Sequence, residues 1–422
     1  MNYCINCMMA LAMRRARPFL PLSILDGASW PLQLLALLAV FEYASKGLFL
    51  GFFTNGFDFA SFYNAAALAA HGEGARVYDT FFSYVPGSSP VPMFFLYPAP
   101  VAVLLAPLGL FSFQAAFVLF QLLSHACLWG ALALWSRGRA DEERLTGFLI
   151  VFLFFPLYYS LQVGQAEPLV LLALIAAPAL LQKNHASTAG LCLAVAVCLK
   201  LFLLFLLVYL VLRRSWRLLA WTGFWLIALF WVSGFVVPWE IQAAYWGRVG
   251  SSLGFEAFTD NQSITGFAYR AFTITRFAAG LIDSAWTARA LTAVLTAAIL
   301  SAYAWLLAFK SKETALFGRD FGFTIMTILL IAPIVDTHHH ALLLLPFLGL
   351  LGSGARRPAP LAFYAFFAGW QPLVAYKFLS SERLSFWSAA PGSVVYSLPF
   401  FVMTAFWLHT ARTIARAEDP KA

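Results

Sequence analysis

Charge is what this sequence has least of. Only 11% of its 422 residues are Asp, Glu, Lys or Arg, against 62% that are hydrophobic, so the chain carries more apolar surface than one water-soluble core can hide. Cysteine is scarce as well. Of the five, Cys127, Cys192 and Cys198 fall in apolar runs and none sits in a long polar loop, which excludes a disulfide-stapled fold. Cys4 and Cys7 form a single Cys-x-x-Cys without a second pair and read as ordinary leader residues. No Gly-x-Gly-x-x-Gly and no P-loop occurs, so nothing marks a nucleotide-phosphate cradle. The two halves show no internal repeat.

What is present is aromatic and aliphatic: 43 Phe, 14 Trp and a mean hydropathy of +0.79. Runs long enough to cross a bilayer, about 20 residues as a helix, recur along the chain. They predict an all-α polytopic membrane protein with about twelve transmembrane helices, near 30–52, 113–136, 145–161, 167–182, 187–199, 201–212, 217–237, 286–309, 319–335, 341–352, 360–377 and 391–411. Three of these, 187–199, 201–212 and 341–352, are too short to cross about 30 Å unaided and must tilt or end at a cavity. The first run follows Arg14, Arg15 and Arg17 without a small-residue cleavage site and reads as a retained signal anchor.

The net charge of +8 reflects topology rather than nucleic-acid binding. Eighteen of the 27 basic residues lie in clusters at 14–17, 137–144, 183, 213–217, 310–319, 356–357 and 412–421. All of these face the cytoplasm if the N-terminus does, as the positive-inside tendency requires. The division that follows is a cytoplasmic leader 1–29, a first helix 30–52, an outer loop 53–112 with interfacial helices, helices 2–7 over 113–237, an outer loop 238–285, helices 8–12 over 286–411 and a cytoplasmic tail 412–422. Pro98, Pro100 and Pro107 make 97–110 an interfacial or re-entrant piece rather than a span. A short helix over 60–70, ended by Gly72 and Gly74, is expected to lie along the membrane surface.

On this topology the polar residues gather at the outer side. Asp58 stands between aromatics at a loop-to-helix transition, where it can cap the 60–70 helix or serve as a general base, a role that needs a held, partly desolvated carboxylate. Gln165 and Glu167 sit at an outer turn between two apolar helices, costly unless they face protein or a wet cavity. Lys200 lies between two short hydrophobic pieces, either reaching the interface or meeting an anionic phosphate. In the loop beyond Trp239, Asn261 and Gln262 are candidates for sugar hydroxyls and Arg270 for a phosphate held by a two-point fork. Blandly read, they are polar loop residues, and Asn261-Gln262-Ser263 also fits a glycosylation sequon. Asp336-Thr337-His338-His339-His340 is the densest titratable cluster, open to a zinc site, a substrate contact or a surface turn. Glu42 and Lys46, spaced i and i+4, neutralise each other.

Several of these stretches occur together in one family. Asp58-Phe59 followed by Phe62-Tyr63 and Ala65-Ala66, Gly74 with Val77-Tyr78-Asp79, Phe95 to Pro98 and Pro107-Leu108 resemble the first outer loop of glycosyltransferase family 87. Gly164-Gln165, Ala189-Gly190-Leu191 leading to Lys200, Asn261-Gln262-Ser263 with Arg270, and a His turn before Pro346 continue the resemblance over about residues 50–350. The family's common Gly-Gln-x-Asn and Tyr-Pro-Pro are replaced here by Glu167 and by Tyr97-Pro98-Ala99.

The resemblance implies a fold of the C-type glycosyltransferase superfamily and a polyprenyl-phosphate sugar donor, mannose foremost. It also implies a catalytic acid in the first outer loop, which maps to Asp58, and a functional histidine among His338, His339 and His340. The resulting expectation is an inverting hexosyltransferase of the inner (plasma) membrane working on its periplasmic face. Asp58 would be the base and His338 and His340 further catalytic residues. Lys200 and Arg270 would hold the donor phosphate, and Tyr63, Gln165, Glu167, Asn261, Gln262 and His339 the substrates. The acceptor would be a lipid or glycan; no cofactor, metal or nucleic acid enters, and membrane lipids surround the chain. The rivals are a secondary transporter, which also shows broken helices and buried charges, and a polymerase or ligase of lipid-linked glycans.

Overall fold

A computed structural model describes residues 29–54, 56–79, 82–83, 91–92, 95–250, 256–275, 277–351, 358–370 and 396–416. Among them the chain is helical apart from two short antiparallel ribbons, Phe82–Ser83 with Val91–Pro92 and Ile274–Thr275 with Ala278–Ala279. The helices are α1 (Trp30–Phe53), α2 (Phe59–Ala70), α3 (Ala99–Leu105), α4 (Phe113–Trp135), α5 (Asp141–Phe152), α6 (Phe155–Val163), α7 (Glu167–Gln182), α8 (Ala186–Leu199) and α9 (Leu206–Leu212). They continue as α10 (Trp216–Ser233), α11 (Trp239–Gly250), α12 (Ile264–Phe272), α13 (Ala285–Lys310), α14 (Arg319–Ile331), α15 (Leu344–Leu351), α16 (Pro358–Ala365) and α17 (Leu398–Arg416).

Four of the described helices, α1, α4, α10 and α13, are long and apolar enough to cross a membrane, and the α5–α6 pair makes a fifth if it counts as one span. Among the described residues these lengths account for four or five spans, short of the twelve expected. At about 1.5 Å per residue, the 14 residues of α8 and the 16 of α7 fall short of about 30 Å. The exposed Leu34, Leu37, Phe41, Phe49 and Phe53 on α1 and Phe224, Ile227 and Trp231 on α10 are surfaces suited to lipid.

Two further expectations change. The single helix over 145–161 is bent by 51° between α5 and α6. Pro156 in the first turn of α6 has no amide hydrogen to donate back into α5, which favours a break or kink at this point. The expected surface helix α2 is instead part of the interior, with Phe59, Ala60, Ser61, Phe62, Ala65, Ala66 and Ala69 buried. The Ala-rich face lets backbone approach backbone: a Cβ added at Gly109 would lie 2.5 Å from Ala67 Cα. The segment 97–110, expected not to span, is α3 followed by a 3-10 turn over Ala106–Leu110, both packed on α2.

At the end expected to be cytoplasmic, Arg213 donates to the fully buried Asp320 at 2.9 Å, and Arg319 and Ser311 also reach that carboxylate. These contacts fasten the end of α9 to the start of α14. Cys127, Cys192 and Cys198 are free. Cys4, Cys7 and the outer loop expected at 378–390 lie outside the described residues.

Candidate active site

The site begins where α6 ends. Gly164 takes the left-handed conformation, φ +76°, that terminates α6, and any Cβ there would sit 2.6 Å from the Cβ of Phe59. Only glycine allows both the turn and that approach. The amide of Asp58 donates to Val163 O at 2.9 Å, so the start of α2 is stitched to the α6–α7 turn. Residues separated by more than a hundred positions thereby become neighbours.

Gln165 occupies the centre. Its Nε2 donates to Asp58 Oδ2 at 2.9 Å, while its Oε1 accepts from Lys200 Nζ at 2.9 Å and from the Tyr97 hydroxyl at 3.0 Å. Asp58 stands at the N-cap position of α2 but makes no side-chain capping bond; the carboxylate is turned to Gln165 instead of the helix amides. The Tyr97 ring also lies 5.8 Å from Lys200 Nζ.

Lys200 is brought in by a break in the helix. It follows α8 with an extended backbone, φ −140°, before a 3-10 turn over Leu201–Phe205, which directs a nearly unexposed ammonium inward. Its second partner is Glu167 Oε1 at 2.6 Å. Glu167, fully buried in the first turn of α7, takes a further bond from Ser160 Oγ at 2.7 Å. The ammonium thus donates a hydrogen bond to Gln165 and is ion-paired with Glu167.

The histidine turn closes the opposite wall. Thr337–Leu343 is a 3-10 turn capped reciprocally by Asp336 and His339, with the Asp336 amide donating to His339 Nδ1 at 2.9 Å. It packs against α6 and α7 and brings His338 Nε2 to 3.8 Å from Glu167 Oε1. His340 is fully buried against the Phe367 ring. The turn is held by the loop before α12. Asp260 accepts from the amide and hydroxyl of Thr337, Asn261 Oδ1 from the Val335 amide at 3.0 Å, and Val335 O from the Gln262 amide at 2.7 Å.

Arg270, completely buried, donates to Phe258 O at 2.7 Å, to Asn261 O at 2.6 Å and to Ser397 Oγ at 3.0 and 3.2 Å. Gln262 Nε2 is taken by Thr259 O and Tyr396 O. Asn261, Gln262 and Arg270 therefore frame the histidine turn, with the Asn261 amide, Gln262 Nε2 and the Arg270 guanidinium engaged by protein groups. Tyr63 gives its hydroxyl to Phe111 O at 2.8 Å and packs its ring on Phe59 and Phe113.

Four acids meet here, Asp58, Glu167, Asp260 and Asp336, against the cations Lys200 and Arg270. Burial pushes the Asp58 carboxyl up to about 6; Gln165 and Lys200 pull it back, and Glu167 and Asp260 push it further. Burial, reinforced by Asp260 and Asp58, drives Asp336 well above the carboxylate range. His338 and His339 are held well below the usual imidazole range, mainly by burial and for both also by Lys200 and His340, so they are neutral. Desolvation lowers the Arg270 guanidinium to about 9, opposed by Asp260.

One ligand atom from each of Glu167, His338 and His339 falls within 4.8 Å of the others, a spacing that invites the question of a metal. The donor set does not fit one. Lys200 Nζ already holds Glu167 Oε1, and a neutral His339 that accepts the Asp336 amide at Nδ1 carries its proton on Nε2, leaving no lone pair there.

Tyr97, Ser160 and Asp260 join the site although the sequence does not single them out for it, and Asp336 joins it as part of the titratable cluster. Tyr97 is marked in the sequence only by its place beside Pro98, and Asp260 only as a neighbour of the amide run.

A family model described as glycosyltransferase family 87 matches residues 95–333. That stretch includes Tyr97, Gln165, Glu167, Lys200, Asp260 and Arg270; Asp58 precedes it and the histidine turn follows it. No curated protein matches the chain.

Proposed function

The chain belongs to glycosyltransferase family 87, and on that footing we propose that it moves a hexose, mannose foremost, from a polyprenyl-phosphate donor to a lipid or glycan acceptor at the outer face of the inner membrane. The observation that carries this reading is the Asp58 carboxylate. One oxygen is fixed by Gln165, the same amide touches Lys200, and the carboxyl titrates near 6. A general base works best when its pKa lies close to the working pH.

In the proposed step Asp58 takes the proton from the acceptor hydroxyl through Oδ1, the oxygen not held by Gln165. The acceptor oxygen bonds to the anomeric carbon, and the carbon–oxygen bond to the donor phosphate breaks on the opposite face, so configuration inverts. The polyprenyl phosphate leaves with the electron pair. Its developing charge is met by Lys200, whose ammonium keeps hydrogens beyond the one donated to Gln165; fixed charge at a developing anion is where electrostatic stabilisation acts most strongly. The neutral His338 and His339 line the wall beside Glu167 as hydrogen-bonding groups for the sugar. Arg270, Asn261 and Gln262 support the histidine turn that presents them.

The reading is tested with native membrane vesicles containing or lacking the protein, supplied with polyprenyl-phosphate [14C]mannose. Transfer of label to membrane lipid or glycan only in the vesicles that contain the protein is the expected result. Protein-dependent uptake of label into proteoliposomes without transfer would favour a transporter and overturn it.

A further inference from the structure

Gln165 is usually the kind of side chain assigned to a substrate hydroxyl. Its surroundings give it another task. The amide oxygen accepts from Lys200, an ammonium with no lone pair to offer and so a donor that cannot reverse its role, and the Tyr97 hydroxyl donates to the same oxygen. With Oε1 fixed between Lys200 and Tyr97, the Nε2 hydrogens can point only the other way, to Asp58 Oδ2. The amide orientation is thus set by chemistry rather than by choice of fit. The main chain reinforces it, because Gln165 follows Gly164, whose missing side chain lets this turn lie against Phe59, and Asp58 is tied by its own amide to Val163.

Resting on the proposed role of Asp58, we infer that Gln165 is a positioning residue. By donating to one oxygen of Asp58 it keeps that carboxylate ionised and leaves the other oxygen aimed at the acceptor, and it joins the base to Lys200, the cation proposed to receive the leaving phosphate.

The groups that face Asp58 come from every element around it: Glu167 at the start of α7, Lys200 after α8, Asp260 in the loop before α12, Asp336 before the histidine turn, and Tyr97 before α3. Two of these five, Glu167 and Asp260, are acids that oppose ionisation of Asp58. The amide hydrogen bond and Lys200 are the groups that favour it. Removing the donor should therefore be felt as a change in proton affinity, not merely as loosened packing.

The experiment compares wild type with Gln165→Met, similar in length but without a donor, and Gln165→Glu. The latter still accepts from Lys200 and Tyr97 but turns an oxygen toward Asp58. The carboxyl of Asp58 is titrated by infrared difference spectroscopy on purified protein in detergent, its band identified by loss in Asp58→Asn. The acid limb of transfer from polyprenyl-phosphate [14C]mannose is recorded in parallel. A lost hydrogen bond to a charged group corresponds to an upward shift of about 1–2 pH units. The expected result is such a shift in Gln165→Met, a larger one in Gln165→Glu, and in both a fall in kcat larger than any rise in KM.

Should either variant fail to fold, the other still decides. An unshifted titration in a folded variant, or a rise in KM alone, would overturn the positioning role and return Gln165 to substrate binding. A shifted titration with an unshifted rate profile would instead overturn Asp58 as the base.

Discussion

Asp58→Asn should make this protein more stable while it abolishes transfer. The side chains are nearly isosteric, and the asparagine carbonyl can still accept from Gln165 Nε2, so the substitution mainly removes a charge. Burial moves the carboxyl from 3.8 to about 6. At about 1.4 kcal/mol per pKa unit, the ionised form costs the native state roughly 3 kcal/mol above pH 6. Because Asp58 keeps an open edge, solvent reduces that figure, and about 1–3 kcal/mol is the expected gain.

The sign follows from linkage. The folded state holds this proton more tightly than the unfolded chain does, so wild-type stability falls as pH rises from about 4 to about 6 and is flat beyond. The Asp58→Asn variant has no such dependence. Thermal unfolding followed by tryptophan fluorescence in detergent, at one scan rate, should give the variant the higher midpoint at pH 8, with the gap shrinking as pH falls through 6 and closing near 4. A midpoint lowered by the same amount at pH 8 and pH 4 would show that Asp58 is a packing or capping residue, and the reasoning would fail.

Other perturbations read other joints of the site. Lys200→Met strands the fully buried Glu167 carboxylate and should destabilise by about 3–5 kcal/mol, with most of the loss recovered in the double variant with Glu167→Gln. A double variant no more stable than Lys200→Met, by thermal midpoint, would mean the pair is not coupled. Gly164→Ala forces a Cβ into Phe59 at a left-handed φ and should cost about 1–3 kcal/mol. It should also reduce transfer more than the comparable Gly223→Ala, where the added carbon meets nothing within 4 Å. Reporters fused at Gly87 and at Ser311 should fall on opposite sides of the membrane, and signals from the same side would invert the orientation on which the outer-face reaction rests.

Much of this arrangement is readable in the sequence because a lipid environment is restrictive. Ionisable groups are costly there, so Asp58, Glu167, Lys200 and the histidine run stand out against an apolar text as residues needing a reason. Helix starts and ends are legible where proline or glycine punctuates: α7 begins at Glu167-Pro168, and α6 ends at Gly164. The bend before Pro156 is hidden because the apolar pattern runs on across Leu153 and Phe154, and hydropathy does not register a missing amide hydrogen. The burial of α2 is hidden for a related reason. A stretch such as Ala65-Ala66-Ala67 is as compatible with a membrane surface as with close helix packing, and only the partner, Gly109, decides.

The site is legible as a set of residues but not as a division of labour. Arg270 looks like a phosphate ligand because it lies in an expected outer loop, eight residues beyond Gln262; that its hydrogens go to Phe258, Asn261 and Ser397 depends on how a loop folds back. Tyr97 and Ser160 are ordinary residues in aromatic or apolar text, and they matter only because Gln165 and Glu167 lie within reach.

The account is tested most directly by the turnover of Asp58→Asn on polyprenyl-phosphate [14C]mannose in native membrane vesicles, at pH 8 and saturating donor. Loss of a positioned general base is expected to lower kcat by about 100-fold to 10,000-fold with donor affinity little changed. Turnover within a few-fold of wild type would contradict it.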